Sequence, residues 1–569
     1  MHIRLPSGVF WALIALALLS LVGRPALAGN APVRANKGMV VSASELASEI
    51  GAQTMRRGGN AVDAAVATAF ALAVVYPTAG NIGGGGFLVF RPASGVPVAY
   101  DFRETAPGVA HPEMWLVDGV YSFQKHHMSH AAVGVPGTVA GLYQAWQAHG
   151  SLPWKTLLKP AVALAHDGFT VSHGLAASLA RALPRFQPYP ASLAQFSKAG
   201  EPFQAGDRLR QRDLARTLRR IAARGPDGFY QGRTAELIVA EMQRGGGLIS
   251  LDDLAAYRSI KREPVRGNYR GHEVISMPPP SSGGVALVQM LNILEGYDMA
   301  GNGSGSAESM HVTIEAMRRA FADRARHLGD SDFNPQMPLR RLMAKSYAAE
   351  LREDIHPEAA SASATEGFNW PAESEETTHL SVVDAARNAV SLTYTLEWGY
   401  GSGIVVPGGG FLLNNEMGDF NAAPGMTTVT GLIGTQANLA APSKRMLSSM
   451  SPTILEKDGE LFMVTGSPGG RTIINTVLGT ILNVVDFGLD AQAAVDAGRF
   501  HHQWFPDKVY VERHGFSPDT LDILRARGHV VEERANQGRA YVIVVNAEDG
   551  VLEGGVDRRR PDAGAGVHD

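Results

Sequence analysis

The chain contains no cysteine. That excludes disulfide frameworks, thiolate zinc sites, iron–sulfur clusters and every cysteine nucleophile. It has little excess charge: 51 basic against 55 acidic residues, a net of −4. Such a chain is no polycation that grips nucleic acid by bulk charge, and no nucleic-acid partner is expected. Long apolar runs are missing. The run from Val9 to Val22 is shorter than the ~20 residues that span a bilayer, and no later stretch is long and apolar enough to do so. Metal spacing is poor as well. His126-His127, His130 and His501-His502 fall in no H-E-x-x-H pattern and read as packing histidines, so no metal and no cofactor is expected. A G-x-S-x-G elbow is absent, since Ser467 lies in Thr465-Gly466-Ser467-Pro468-Gly469-Gly470.

What is present is a large globular chain. With 569 residues, 45% of them hydrophobic, it can bury a substantial core as a few large units. The start reads as an export signal. His2 and Arg4 precede the Val9–Val22 run, and Pro25-Ala26-Leu27-Ala28 offers small residues for cleavage after Ala28. The mature protein is then expected in the periplasm or outside the cell, without a membrane span.

Asn60 to Val75 reads as a buried helix, with Asn60 and Asp63 as a capping box. The Gly83–Gly86 run precedes the strand-like Phe87–Phe90 instead of joining strand to helix, which points to close backbone packing and not to a phosphate loop. Residues 150–330 are mostly helical, with apolar stripes Leu209, Leu214, Leu218, Ile221 and Met310, Ile314, Met317, Phe321, Leu328. Residues 356–376 are rich in Ala, Ser and Glu and lack periodicity, as an exposed linker does. After them Thr378–Val383 and Val390–Thr395 alternate around a turn and predict a hairpin. Short strands are expected near Phe411–Leu413, Leu461–Thr465, Val509–Val511 and Tyr541–Val545, with a helix over Ile473–Val485.

With cysteine gone, the nucleophile must be Ser, Thr, a carboxylate or metal-bound water. A threonine that opens a strand directly after a linker, with Gly- and Ser-rich turns downstream, is what an N-terminal nucleophile requires. Thr377-Thr378-His379 stands in that context. Around it lie Gly58–Val66, Gly83–Phe87, Asp101-Phe102-Arg103-Glu104, Pro278–Gly284, Leu413–Met417, Leu447–Thr453 and Gly466–Gly470. In these segments and their order the chain resembles the γ-glutamyltranspeptidase (glutathione hydrolase) precursors, a family of N-terminal-nucleophile hydrolases.

The resemblance implies an α+β fold, a four-layer αββα sandwich, with a largely helical part in the large chain. It divides the chain into a signal peptide 1–28, a large chain 29–376 and a small chain 377–569 that pair as a heterodimer after self-cleavage between Glu376 and Thr377. Cleavage would free the Thr377 α-amine, whose unperturbed pKa of about 7.7–8.0 suits a general base for its own hydroxyl. By the same resemblance Thr395 positions the nucleophile and the N–H groups of Gly469 and Gly470 form the oxyanion hole. Arg103, Ser448 and Ser449 hold the substrate α-carboxylate; Glu416 and Asp419 accept from its α-ammonium. Glu397 stands where many relatives have Asn, and joins them as a candidate contact. Gly418 replaces an Asp often found before Asp419. Thr430 replaces the aromatic residue of a lid loop over 424–438, which favours water as acyl acceptor. The implied substrates are glutathione and other γ-glutamyl amides, with transfer to water, amino acids or peptides. Two alternatives stay open: a glutaryl or cephalosporin-type acylase using the same nucleophile, and an uncleaved, inactive protein that binds γ-glutamyl peptides.

Overall fold

The computed structural model describes residues 30–363, 376–426 and 436–569. The expected export signal, residues 364–375 of the expected linker and Thr430 lie outside the described residues. Pro32–Asp569 is one unit, distinct from Met1–Ala31.

Two seven-stranded, wholly antiparallel sheets organise this unit. The first runs in the order Gly564–His568, Gly38–Ser42, Thr378–Val383, Ala389–Thr395, Gly85–Arg91, Val98–Phe102, Ile260–Arg262. The second runs Val33–Ala35, Leu552–Val556, Tyr541–Val545, Glu460–Thr465, Thr453–Lys457, His272–Ser276, Val265–Tyr269. The sheets pack face to face, and helices cover both outer faces. This is the αββα sandwich expected. Both sheets combine strands from before and after residue 376, so neither sheet belongs to one half of the chain.

The helix Ala61–Val75 shows how one outer layer is set. The Asn60 side chain accepts from Val62 N and Asp63 N, while Asp63 accepts from Asn60 N at 3.0 Å, closing the capping box. All of its residues are buried, because it lies between the helices Glu45–Arg56 and Trp154–Asp167 and the two central strands of the first sheet. Small Ala side chains permit that all-round packing.

The central hairpin obeys the two-residue period of a strand. Tyr394 Oη donates to Ala69 O on the helical side. Leu380, Val382, Val390 and Leu392 share that face and are fully buried, each contributing about 1.5–3 kcal/mol by leaving water. The opposite face carries Thr377, His379, Ser381, Ser391, Thr393 and Thr395 and is polar. There Ser381 donates to Tyr541 O at 2.8 Å and Ser391 to Thr465 O at 2.9 Å, both on the second sheet. The nucleophile candidate thus points between the sheets.

Two expectations need correction. Phe411–Leu413 forms no strand; it makes only a single bridge, Val405 with Leu412, because turns at Gly408 and Gly410, both at positive φ, break the extension. Leu209 belongs to the short strand Arg208–Leu209, not to the helix Arg212–Arg224 that buries Leu214, Leu218 and Ile221. The helix Thr472–Val485 and the strands Val509–Glu512 and Tyr541–Val545 form where expected.

Candidate active site

Thr377 immediately precedes the Thr378–Val383 strand and is buried. The register pairs Thr378 with Tyr394, which brings Thr395 beside Thr377. The Thr377 hydroxyl donates to Thr395 Oγ1 over 3.4 Å, and the Thr395 hydroxyl donates to the carbonyl oxygen of Glu376 over 3.3 Å. Glu397 N also donates to Thr395 Oγ1, at 2.8 Å. One side chain therefore links the nucleophile to the carbonyl of the bond in front of it. The glycine run supports this corner. A Cβ on Gly84 would lie 2.0 Å from Thr395 O, so only glycine lets the two backbones meet.

The turn Gly466–Gly470 leaves the Glu460–Thr465 strand and enters the helix Thr472–Val485. Gly469 (φ 133°) and Gly470 (φ 54°) take backbone conformations that side chains disfavour. Neither N–H donates a hydrogen bond among the described residues. Gly470 shares the walls of a cavity of about 70 Å³ with Thr377 and Thr395. Gly469 stands one residue back, where its Cβ position abuts Gly538, and does not line that cavity.

The same cavity collects Arg103, Glu397, Glu416, Asp419, Ser448 and Ser449. Arg103 is 1% exposed. Its Nη1 pairs with Glu416 and its Nη2 with Asp419, while Nε and Nη2 donate to the carbonyls of Met446 and Leu447 at 3.3 and 3.1 Å. Burial alone would lower the pKa of this guanidinium, but Glu416, Asp419 and Glu104 raise it, so it stays charged. The carboxyls respond in the opposite sense. Burial pushes Glu416 up to about 8, against the pull of Arg103 and with the help of Asp419. Burial, then Asp419 and Glu416, raise Glu397; burial and Glu416 raise Glu104. Asp419, with a side chain 33% exposed, is the one member of the Arg103 cluster at the solvent side.

Ser449 Oγ accepts from Arg324 Nη2 at 3.0 Å, and Ser448 Oγ accepts from Met450 N at 3.1 Å. Arg324 also donates to Ser282 Oγ at 2.8 Å. It and Trp398 line the cavity and were missed in the sequence. A signal existed for Arg324: it falls three residues after Phe321 on the stripe Met310, Ile314, Met317, Phe321, Leu328, a charge on a core-facing line. Glu104 is fully buried, has no hydrogen bond on either carboxylate oxygen and lies 3.9 Å from Arg103 Nη1; the sequence shows it only as part of a motif.

The departures at 397 and 418 account for each other. A Cβ on Gly418 would sit 2.9 Å from both Glu397 carboxylate oxygens and 2.4 Å from His127 Nδ1. The Glu397 carboxylate thus fills the space that a side chain at 418 would need. Glu397 holds this position at φ 75°, a left-handed conformation of the kind retained at functional sites. His127 stacks on Phe123 and Trp398 with ring centroids 4.6 and 5.7 Å away, and burial lowers its pKa to about 4, leaving it a neutral wall. His126 stacks on Trp115, and His130 Nε2 is bonded to Glu241 at 2.8 Å, the packing roles expected.

A family model described as Gamma-glutamyltranspeptidase matches residues 47–567. This chain belongs to the γ-glutamyltranspeptidase family. Within reach of that family, the chain is 49% identical over 538 residues to the glutathione hydrolase proenzyme of Escherichia coli K12, covering 93% of this chain and 92% of the relative. Among solved structures it is similar to a cephalosporin acylase from Bacillus halodurans, with a TM-score of 0.84, 28% identity, and coverage of 96% and 99% of the two chains. It is also similar to a γ-glutamyltranspeptidase from Helicobacter pylori, with a TM-score of 0.55, 45% identity, and coverage of 56% and 91%. No helix among the described residues is long and apolar enough to cross a membrane.

Proposed function

We propose that the protein is exported, cuts itself between Glu376 and Thr377, and then acts as a γ-glutamyl hydrolase and transferase on glutathione and related amides. One observation carries this reading: Thr377 Oγ1, Thr395 Oγ1 and the Glu376 carbonyl oxygen stand in one hydrogen-bonded line, beside a cavity built from Arg103 and three carboxyls. Thr377 Oγ attacks the Glu376 carbonyl carbon. The C–N bond breaks, a C–O bond forms, and the hydroxyl proton ends on the departing nitrogen. Water then hydrolyses the ester, freeing a Glu376 carboxylate, a proton and the Thr377 hydroxyl beside its own α-amine.

In turnover that amine takes the hydroxyl proton while Oγ attacks the γ-carbonyl of the substrate. The N–H groups at Gly469 and Gly470 stabilise the tetrahedral oxyanion, an interaction whose loss costs about 3–4 kcal/mol per donor. The γ-glutamyl-Thr377 ester then passes to water, an amino acid or a peptide.

The internal Arg103–Asp419 pair explains selection of a zwitterion. A substrate α-carboxylate takes the Arg103 donor that Asp419 gives up, and the α-ammonium takes Asp419. Each released charge finds a partner. A glutaryl group has the carboxylate but no ammonium, so it leaves Asp419 unpaired, a costly outcome at a partly buried site.

The similarity to a cephalosporin acylase supports a second reading, an acylase indifferent to the α-amine. Two measurements decide. Mass spectrometry of the N-termini should find a chain that begins at Thr377 and another that begins after Ala28. A γ-glutamyl anilide should be cleaved far faster than its glutaryl analogue. Equal rates favour the acylase, and a persistent full-length chain favours the inactive binding protein.

A further inference from the structure

The side chain of Glu376, on the carbonyl side of the bond that the proposed function requires to break, has a partner that no motif announces. Arg539 Nη1 and Nη2 lie 3.1 and 3.4 Å from its two carboxylate oxygens, a bidentate pairing of guanidinium and carboxylate. Arg539 is itself anchored to the turn that carries Gly469 and Gly470. Its N donates to Ser467 Oγ at 2.9 Å, and its neighbour Gly538 packs against Gly469. A second cation lies nearby. Arg560 stacks over Tyr76 at 4.3 Å, and its buried Nε and Nη2 have no hydrogen-bond partner among the described residues. Gly399 leaves room for the Glu376 methylenes, since a Cβ there would stand 3.0 Å from Glu376 Cγ.

We infer that Arg539 is a positioning residue for self-cleavage, holding the Glu376 side chain so that the scissile carbonyl faces the Thr377 and Thr395 hydroxyls. Glu376 ends an Ala-, Ser- and Glu-rich stretch that has no apolar side chain to anchor it after Pro371 except Ala372. The carbonyl needs a fixed direction for attack, because acyl transfer within a chain gains its rate from a near-attack geometry. The guanidinium supplies that direction by fixing the residue on one side of the bond, while the strand beginning at Thr378 fixes the other. No described contact joins the Arg539 guanidinium to a residue of the substrate cavity, and it meets the Thr377 chemistry through Glu376.

The inference rests on the proposed scission at 376/377, and the test separates the two. Pulse-labelled full-length protein is chased on denaturing gels, and the product N-terminus is sequenced, for wild type, Arg539→Ala, Arg539→Lys, Glu376→Gln and the Arg539→Ala/Glu376→Gln double variant. Arg539→Ala and Glu376→Gln should each slow scission at least about tenfold, the scale of a lost charged hydrogen bond. The double variant should be no slower than either single one, and Arg539→Lys should recover part of the rate. Turnover of a γ-glutamyl anilide per mole of cleaved chain should stay at the wild-type level throughout. Glu376→Gln is isosteric at a partly exposed position, so it reads the contact even where Arg539→Ala folds poorly. Scission of both single variants at the wild-type rate, effects that multiply in the double variant, or turnover per cleaved chain that falls with scission would each overturn the inference. A wild-type protein that yields no chain starting at Thr377 overturns the scission itself, and the inference with it.

Discussion

The hydroxyls of Thr377 and Thr395 lie 3.4 Å apart, and the Thr395 hydroxyl is directed at the carbonyl oxygen of Glu376. Thr395 therefore touches both partners of the proposed acyl shift. Thr377→Ala should abolish scission and turnover together, leaving a single full-length band. Thr395→Val keeps the shape and removes the relay. It should slow scission about tenfold, as expected for one neutral hydrogen bond with some cooperative loss, while Thr395→Ser stays close to wild type. A pulse–chase gel reads both, and wild-type scission in Thr395→Val would remove Thr395 from the scheme.

Arg103 is held by two carboxylates, so its removal acts on binding and on stability. Arg103→Ala should still be cut at 376/377, because no described contact joins Arg103 to Glu376. Its KM for a γ-glutamyl anilide should rise at least about a hundredfold, the scale of a lost charged pair. Stability should also fall, since breaking a buried pair costs about 3–5 kcal/mol. Arg103→Lys should recover part of the stability but little of the KM, because an ammonium cannot reproduce the planar fork. A KM unchanged in Arg103→Ala would remove it from the carboxylate site.

The raised pKa of Glu416, about 8 against an ordinary 4.5, gives binding a pH signature. A folded-state carboxyl with a raised pKa contributes stability fully present below about 4.5 and lost as pH rises through about 8. Binding runs the other way, because an ionised Glu416 accepts from an ammonium better than a protonated one. Inhibition by L-glutamate, relative to glutarate, should strengthen from pH 6.5 to 8.5, and Glu416→Gln should flatten the ratio. A ratio independent of pH in wild type would show that Glu416 does not sense the ammonium.

The mutual fit of Gly418 and Glu397 predicts non-additivity. Gly418→Asp places a side chain where the Glu397 carboxylate and His127 stand, 2.4–2.9 Å from its Cβ, and should raise KM about tenfold or more by displacing Glu397, as coupled neighbours do. Adding Glu397→Asn frees part of that space and should return most of the loss. If the two substitutions simply multiply, the positions are independent.

Much of this site could be read in one dimension. Thr377, Thr395, Arg103, Ser448 and Ser449 lie in short motifs, and strand period alone puts Thr377 and Thr395 on the polar face of the hairpin. The charge contacts were less legible. Arg539 meets Glu376 across 163 residues, and no local pattern marks one arginine among many. The pairing of Arg103 with Glu416 and Asp419 depends on how closely separate loops converge, which spacing does not encode. Arg324 was legible in principle, as a charge interrupting an apolar stripe, but its line is also what an amphipathic helix edge presents. The absent strand at Phe411–Leu413 shows the converse: three apolar residues in a row promise extension, and flanking glycines at positive φ cancel it.

In both sheets, strands that follow residue 377 lie between strands that precede 376. Once the intervening bond is gone, the folded pair has no hinge along which to part, so dissociation requires dismantling the sandwich. Reassembly from separated pieces would be a bimolecular search that the uncut precursor never faces. Maturation by the proposed scission would thus convert a reversible folding problem into a one-way one. Heat-denatured mature protein should fail to regain its native form at dilutions where the Thr377→Ala precursor still does, and its durability is governed by the rate of opening and not by an equilibrium.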